Sequence, residues 1–173
     1  MSALQPGEFL APDGIIIRPI SGTDSGLTSI VMGRILPREE DYPVHLHYGL
    51  EQVTYVISGR LTVLQRTLGD GQHVDVELGP GEAITTPPAS TLSFRNHGTD
   101  IAEVLYICIP PYPPTNADTV LLSGGHRPLT GQELRMSVER LRRAQEYIGA
   151  QLEARLQAIR WLAHVDESDL HHG

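Results

Sequence analysis

The sequence predicts an all-β barrel or sandwich that carries one long C-terminal helix. Three observations point there. Between residues 14 and 109, short runs rich in β-branched and aromatic residues alternate with Gly, Pro, Asn and Asp turns. The cluster Pro110-Pro111-Tyr112-Pro113-Pro114 then ends them, because consecutive prolines cannot keep up a strand ladder. From Thr130 onward no proline occurs, and apolar residues recur at near-helical spacing.

Taken in order, residues 1–13 read as an N-terminal arm. The expected strands are Ile15–Ile20, Leu27–Leu36, Val44–His47, Gln52–Ser58, Leu61–Arg66, His73–Leu78, Ala83–Thr86, Thr91–Arg95 and Ile101–Ile109. Gly69-Asp70-Gly71, Gly79-Pro80-Gly81 and Asn96-His97-Gly98 supply turn chemistry between them. Many short strands at this spacing indicate a barrel or sandwich rather than βαβ units, so residues 14–110 are expected to close one barrel with room for a ligand. Residues 111–129 read as a Pro-rich connector. Thr130-Gly131-Gln132-Glu133 matches a capping box and opens an amphipathic helix over 130–165. Leu134, Val138, Leu141, Ile148, Leu152, Leu156, Ile159 and Leu162 form its apolar stripe, which must be buried on the barrel or on another subunit. Residues 166–173 form a polar tail in which His171 and His172 carry no expected role.

Composition narrows the chemistry. At 173 residues the chain accommodates one domain with an appendage. A net charge of −8, with no segment that concentrates like charge, makes nucleic acid and anionic membranes unexpected partners. The longest apolar runs are far shorter than a membrane span, and the first residues lack signal-peptide character, so a soluble cytoplasmic protein is expected. All 13 basic residues are arginine, which excludes Schiff-base chemistry and a P-loop lysine. Cys108 is the single cysteine, expected to be a buried, inert thiol, and it excludes an internal disulfide.

The stretch Pro43-Val44-His45-Leu46-His47-Tyr48-Gly49-Leu50-Glu51-Gln52 carries the candidate chemistry. Side chains at i and i+2 leave the same face of a strand, so His45 and His47 can direct two imidazoles at one cation. The Tyr48-Gly49 turn brings back Glu51 or Gln52 as an oxygen ligand. Such a nitrogen and oxygen set suits zinc, iron(II) or nickel. Local alternation leaves open which of Glu51 and Gln52 faces inward, since Glu51 shares parity with Val53 and Tyr55, and Gln52 with Thr54 and Val56. Tyr106, in a strand near the end of the β region, is a candidate donor to a bound substrate. His97 and His73 sit at turns, where a histidine is normally solvated.

At these residues the chain resembles the cupin superfamily, over roughly residues 14–110. The spacing of His45, His47, Gln52 and Gly59 matches the family's first motif, and Gly81, Pro87 and Asn96 match its second. Two positions depart: Ala89 stands where the family has Gly, and Leu92 where it has a metal-binding His. The resemblance implies the double-stranded β-helix, or jelly-roll, fold, a divalent metal ion held by His45, His47 and Gln52, and a homodimer. Motif-sized stretches are similar to polyketide cyclases of the tetracenomycin type and to sugar-acid ring-opening cupins. Both imply non-oxidative work on a small oxygen-rich molecule, an isomerase, cyclase or lyase reaction with Glu51 as general base. Two alternatives stand beside it: an Fe(II) dioxygenase using His45, His47 and Glu51, and a metal-free cupin that binds a small ligand. Tyr106, His97 or His73 are the residues that would complete a ligand set that lacks a histidine at Leu92.

Overall fold

The computed structural model describes residues 4–20, 28–47, 49–67, 72–112, 119–125 and 130–169; the side chains of Leu134, Leu141 and Leu162, three of the expected helix stripe, lie outside the described residues, as do His171 and His172. Among the described residues eleven strands precede one helix. These are β1 (Phe9–Leu10), β2 (Ile16–Pro19), β3 (Ser29–Ile35), β4 (His45–His47), β5 (Glu51–Ser58), β6 (Leu61–Thr67), β7 (His73–Leu78), β8 (Ala83–Thr86), β9 (Ser90–Arg95), β10 (Ala102–Ile109) and β11 (Thr119–Leu121), followed by α1 (Gly131–Asp169). Each of the nine expected strands has its counterpart in β2 to β10.

Two strands had no sequence signal. β1 lies in the N-terminal arm and β11 within the expected connector, both too short to show alternation and both held by a neighbour: β1 pairs with β2, and β11 with β4. The helix also runs past the expected boundary at 165 to Asp169, and unbroken through Gly149.

The strands form two antiparallel sheets. One is ordered β1-β2-β3-β10-β5-β8 and the other β11-β4-β9-β6-β7, giving the jelly-roll arrangement. Their facing sides bury one core that includes Ile35, Val56, Val63, Leu92, Phe94 and Val104. Burial of each such side chain stabilises the fold by roughly 1.5–3 kcal/mol. Strand β10 shows how the pattern arises, since Ala102, Val104, Tyr106 and Cys108 are buried while the residues between them are not. The hairpin at Ser58-Gly59 is possible only with glycine: φ is 76°, and a Cβ there would lie 2.6 Å from the Ile101 carbonyl oxygen.

An ion pair fastens the arm to the barrel. Arg34 on β3 grips Glu8 with a two-pronged contact, Nε to Oε1 at 2.8 Å and Nη2 to Oε2 at 2.6 Å. The guanidinium holds the Glu8 carboxyl below its usual range, and Glu8 in turn raises Arg34. The fork lays residues 8–13 along the barrel and carries the Pro12-Asp13-Gly14 turn to the mouth of its cavity. The helix α1 meets the barrel at β11 but leaves much of its apolar stripe in solvent, with Leu152 56% and Ile159 62% exposed. Covering by its own barrel, one of the two expected fates of that stripe, is therefore not observed at these residues.

Candidate functional site

His45 and His47 both turn into the barrel from β4, as i and i+2 on one strand face should. Their rings lie 5.1 Å apart between centroids, nearly edge to face. Gln52 enters from β5 on the side shared with Thr54 and Val56, and all three are buried. Register explains this choice of face. Gln52 sits opposite Cys108 of β10 and Thr86 of β8, two buried positions, whereas Glu51 sits opposite Ile109, which is exposed.

Glu51 is thus half-buried on the outward face, away from the cavity-lining residues. The structure corrects the expectation that it joins the histidines as ligand or base, because one residue along a strand reverses the face. Tyr106 does reach the site. His97 and His73 do not: both are surface groups, His97 lying 3.3 Å from Asp41 and His73 3.3 Å from Asp75. Leu92 pairs with His45 in register and is fully buried, so the missing ligand position is filled by core packing.

The cavity between the sheets has a volume of about 80 Å³, well above the roughly 10–15 Å³ that a single water needs. Ala11, Pro12, Ile15, Ile17, Val31 and Phe94 make its apolar wall. The polar lining consists of His45, His47, Gln52 and Tyr106 with Asp13, Cys108, Tyr112 and Thr119. Among the described residues no arginine lines it.

Each imidazole has oxygen at its Nδ1. His47 Nδ1 hydrogen-bonds Thr119 Oγ1 at 3.1 Å, and Thr119 bonds in turn to the Tyr112 hydroxyl. His45 Nδ1 lies 3.4 Å from the Pro43 carbonyl and 3.7 Å from Asp13 Oδ2. Burial first, and then the neighbouring His45, push His47 well below the ordinary imidazole range, while a hydrogen bond donated to the Gln52 side-chain oxygen acts the other way. His47 is therefore neutral at neutral pH. Burial, then the Asp13 carboxylate, then Tyr42 and Cys108 drive the Tyr106 phenol well above its usual value, so it stays protonated. Its hydroxyl is buried without a hydrogen-bond partner among the described residues, an arrangement that a guest with an acceptor oxygen would relieve.

Among the described residues no three His, Cys, Asp or Glu side chains are grouped to hold a metal ion. The set that converges is two imidazoles and the Gln52 amide. That donor chemistry fits a divalent ion, since in metal sites the second ring nitrogen of a ligating histidine is held by oxygen, as both are here. Asp13, Tyr112, Thr119 and the cavity position of Cys108 escaped sequence reasoning. Pro12-Asp13-Gly14 is recognisable as a turn, but its place over the cavity depends on the Glu8–Arg34 contact. Thr119 follows a Pro-rich stretch and carries no local signal at all.

None of the curated proteins matches the chain, whereas solved structures do. Protein SO0799 from Shewanella oneidensis aligns at 15% identity and TM-score 0.57, over 67% of this chain and 78% of that one. The capsular polysaccharide assembling protein CapF from Staphylococcus aureus aligns at 14% identity and TM-score 0.57, over 67% of this chain and 31% of that one. The oxalate decarboxylase of Lactobacillus farciminis, as a formate complex, aligns at 16% identity and TM-score 0.55, over 66% and 33%. The chain thus spans only about a third of the length of CapF, and these likenesses show the fold. No helix is long and apolar enough to cross a membrane among the described residues. The family described as the cupin domain matches residues 31–108, the stretch from β3 to β10 that bears His45, His47, Gln52 and Tyr106, and this stretch, within the two-sheet jelly roll, is a cupin domain.

Proposed function

We propose that the protein is a metal-dependent cupin enzyme that acts non-oxidatively on a small oxygen-rich molecule, moving a proton next to a carbonyl in an isomerase, cyclase or lyase reaction. The observation that carries this reading is the convergence of two oxygen-steered imidazoles, the Gln52 amide and a partnerless Tyr106 hydroxyl on one small cavity. His45, His47 and Gln52 would hold the ion. Zinc, nickel or iron(II) bound there supplies Lewis-acid polarisation of a substrate oxygen.

The chain's own groups do the rest. Tyr106 keeps its proton and donates a hydrogen bond to the substrate oxygen. Among the described residues Asp13 is the one carboxylate lining the cavity; its Oδ1 accepts from the Ile15 N–H at 3.1 Å, leaving Oδ2 to steer His45 and accept a proton. It takes the part expected of Glu51. The apolar wall excludes water, which strengthens each of these contacts. With no arginine among the described lining residues, an anionic substrate would find its charge partner in the ion. A volume near 80 Å³ favours a small molecule or one end of a larger one.

The Fe(II) dioxygenase reading loses its carboxylate, because Glu51 faces outward. One observation favours a metal-free ligand-binding cupin, namely the apolar, fully buried Leu92. Metal analysis by mass spectrometry on untagged protein separates the readings, run beside a His45→Ala/His47→Ala variant. Near one equivalent of ion in the wild type and none in the variant is the expected result. Absence of metal from both, even after reconstitution, would overturn the proposal in favour of simple ligand binding, and oxygen consumption by an iron form would favour oxidative chemistry.

A further inference from the structure

We infer that α1 is a dimerisation helix that pairs antiparallel with the α1 of a second copy of this chain, in a register centred on Ala150. At 39 residues the helix is about 58 Å long. The longest strands have 8 residues, about 26 Å, so the barrel cannot cover it. Within its apolar stripe, positions 138, 141, 148, 152, 159 and 162 follow alternating steps of three and four, interrupted by Gln145 and Arg155, with Leu156 beside the series. A sustained seven-residue repeat is the mark of a helix seam rather than of a face packed on a globular core. Val138, Leu152 and Ile159 on that seam are exposed.

The two polar positions decide the partner and its direction. In an antiparallel pair in which residue numbers of facing layers sum to about 300, Gln145 meets the partner's Arg155 and the reverse. Ile148 then meets the partner's Leu152, and by sequence register 138 faces 162 and 141 faces 159, so every other layer is apolar. The seam is self-complementary, as a two-fold interface must be. In a parallel pair Arg155 would oppose its own copy, placing two like charges in the seam. At the level of the two-fold the position bordering the seam is Gly149, and a Cβ built on it meets nothing within 4 Å. Gln151 already accepts from Arg155 Nη2 at 3.3 Å, which holds the guanidinium near the seam.

Sedimentation equilibrium on the full chain tests this, with barrel melting as the folding control. The wild type is expected to dimerise and Leu152→Arg to be monomeric with an unchanged barrel. Gln145→Glu, which sets a carboxylate against the partner's Arg155, should tighten the antiparallel dimer about tenfold. Weakening by Gln145→Glu would overturn the antiparallel register, since a parallel pair would oppose two carboxylates. A wild type that stays monomeric at about 100 µM, or a dimer that survives Leu152→Arg, would refute the helix as the interface.

Discussion

Replacing Gly33 with alanine is expected to loosen the barrel and disturb the cavity together. Gly33 lies in β3, paired with Ile17 on one side and Val104 on the other, so its backbone is held by ladders on both edges. A Cβ there would sit 2.5 Å from Tyr106 Cε2 and 2.9 Å from Val104 Cγ2. The Tyr106 ring must yield. Phe94 packs against it at 5.8 Å between centroids, so the open direction is the cavity itself. Overpacking of this kind costs roughly 1–3 kcal/mol, and a domain of this size loses roughly 2–4 °C of Tm per kcal/mol, so a drop of about 2–12 °C is expected. Thermal and urea unfolding measure it. Tyr106→Leu removes Cε2, so in that background the same substitution should cost at least about 0.5 kcal/mol less. An unchanged melting temperature for Gly33→Ala, or an equal cost in both backgrounds, would refute the claim that Tyr106 occupies the space above Gly33.

Four further outcomes are expected. Thr119→Val removes the oxygen at His47 Nδ1 and should weaken metal affinity about 10–100-fold in a chelator competition while the barrel stays folded; equal affinity would count against an oriented His47. Ala89 has φ 58° and donates its N–H to the His47 carbonyl at 2.8 Å, so Ala89→Gly should relieve a strain of about 1–2 kcal/mol, offset by glycine's unfolded-state freedom of about 0.4–1 kcal/mol, for a small net gain in Tm. Asn96→Ala should destabilise by roughly 1–3 kcal/mol in urea unfolding, because Asn96 Nδ2 donates to the Ile35 and Asp100 carbonyls and Oδ1 accepts from Gly98 N–H. The Glu8 carboxyl is held below its unfolded value by Arg34, so its contribution is full above the unfolded pKa of about 4.3 and disappears as pH falls through the folded pKa. The melting difference between wild type and Glu8→Gln should therefore close on acidification; a gap that widens in acid would show the sign to be wrong.

Much of the barrel was legible because its signals are local. Gly and Pro punctuate the chain through their own backbone preferences, and period-two runs such as Val74 to Leu78 declare which side is buried. His45 and His47 share a face by strand geometry alone, and the long helix announces itself by period and by its freedom from proline. Two-residue β1 and three-residue β11 were invisible for the complementary reason: they are strands because β2 and β4 pair with them, and no local preference distinguishes them from loop.

Within this chain, sequence by itself determined the succession of nine strands, the paired histidines, the apolar replacement at Leu92 and the apolar stripe of α1, since each rests on spacing within one segment. Tertiary structure alone decided that Gln52 rather than Glu51 faces the cavity, because two half-apolar faces of β5 balance until Cys108 and Thr86 pair with one of them. It likewise decided that Asp13 supplies the carboxylate and Thr119 the hydroxyl beside the histidines. Those contacts join residues up to 72 positions apart, and a contact between distant segments exists only once the sheets that bring them together have closed.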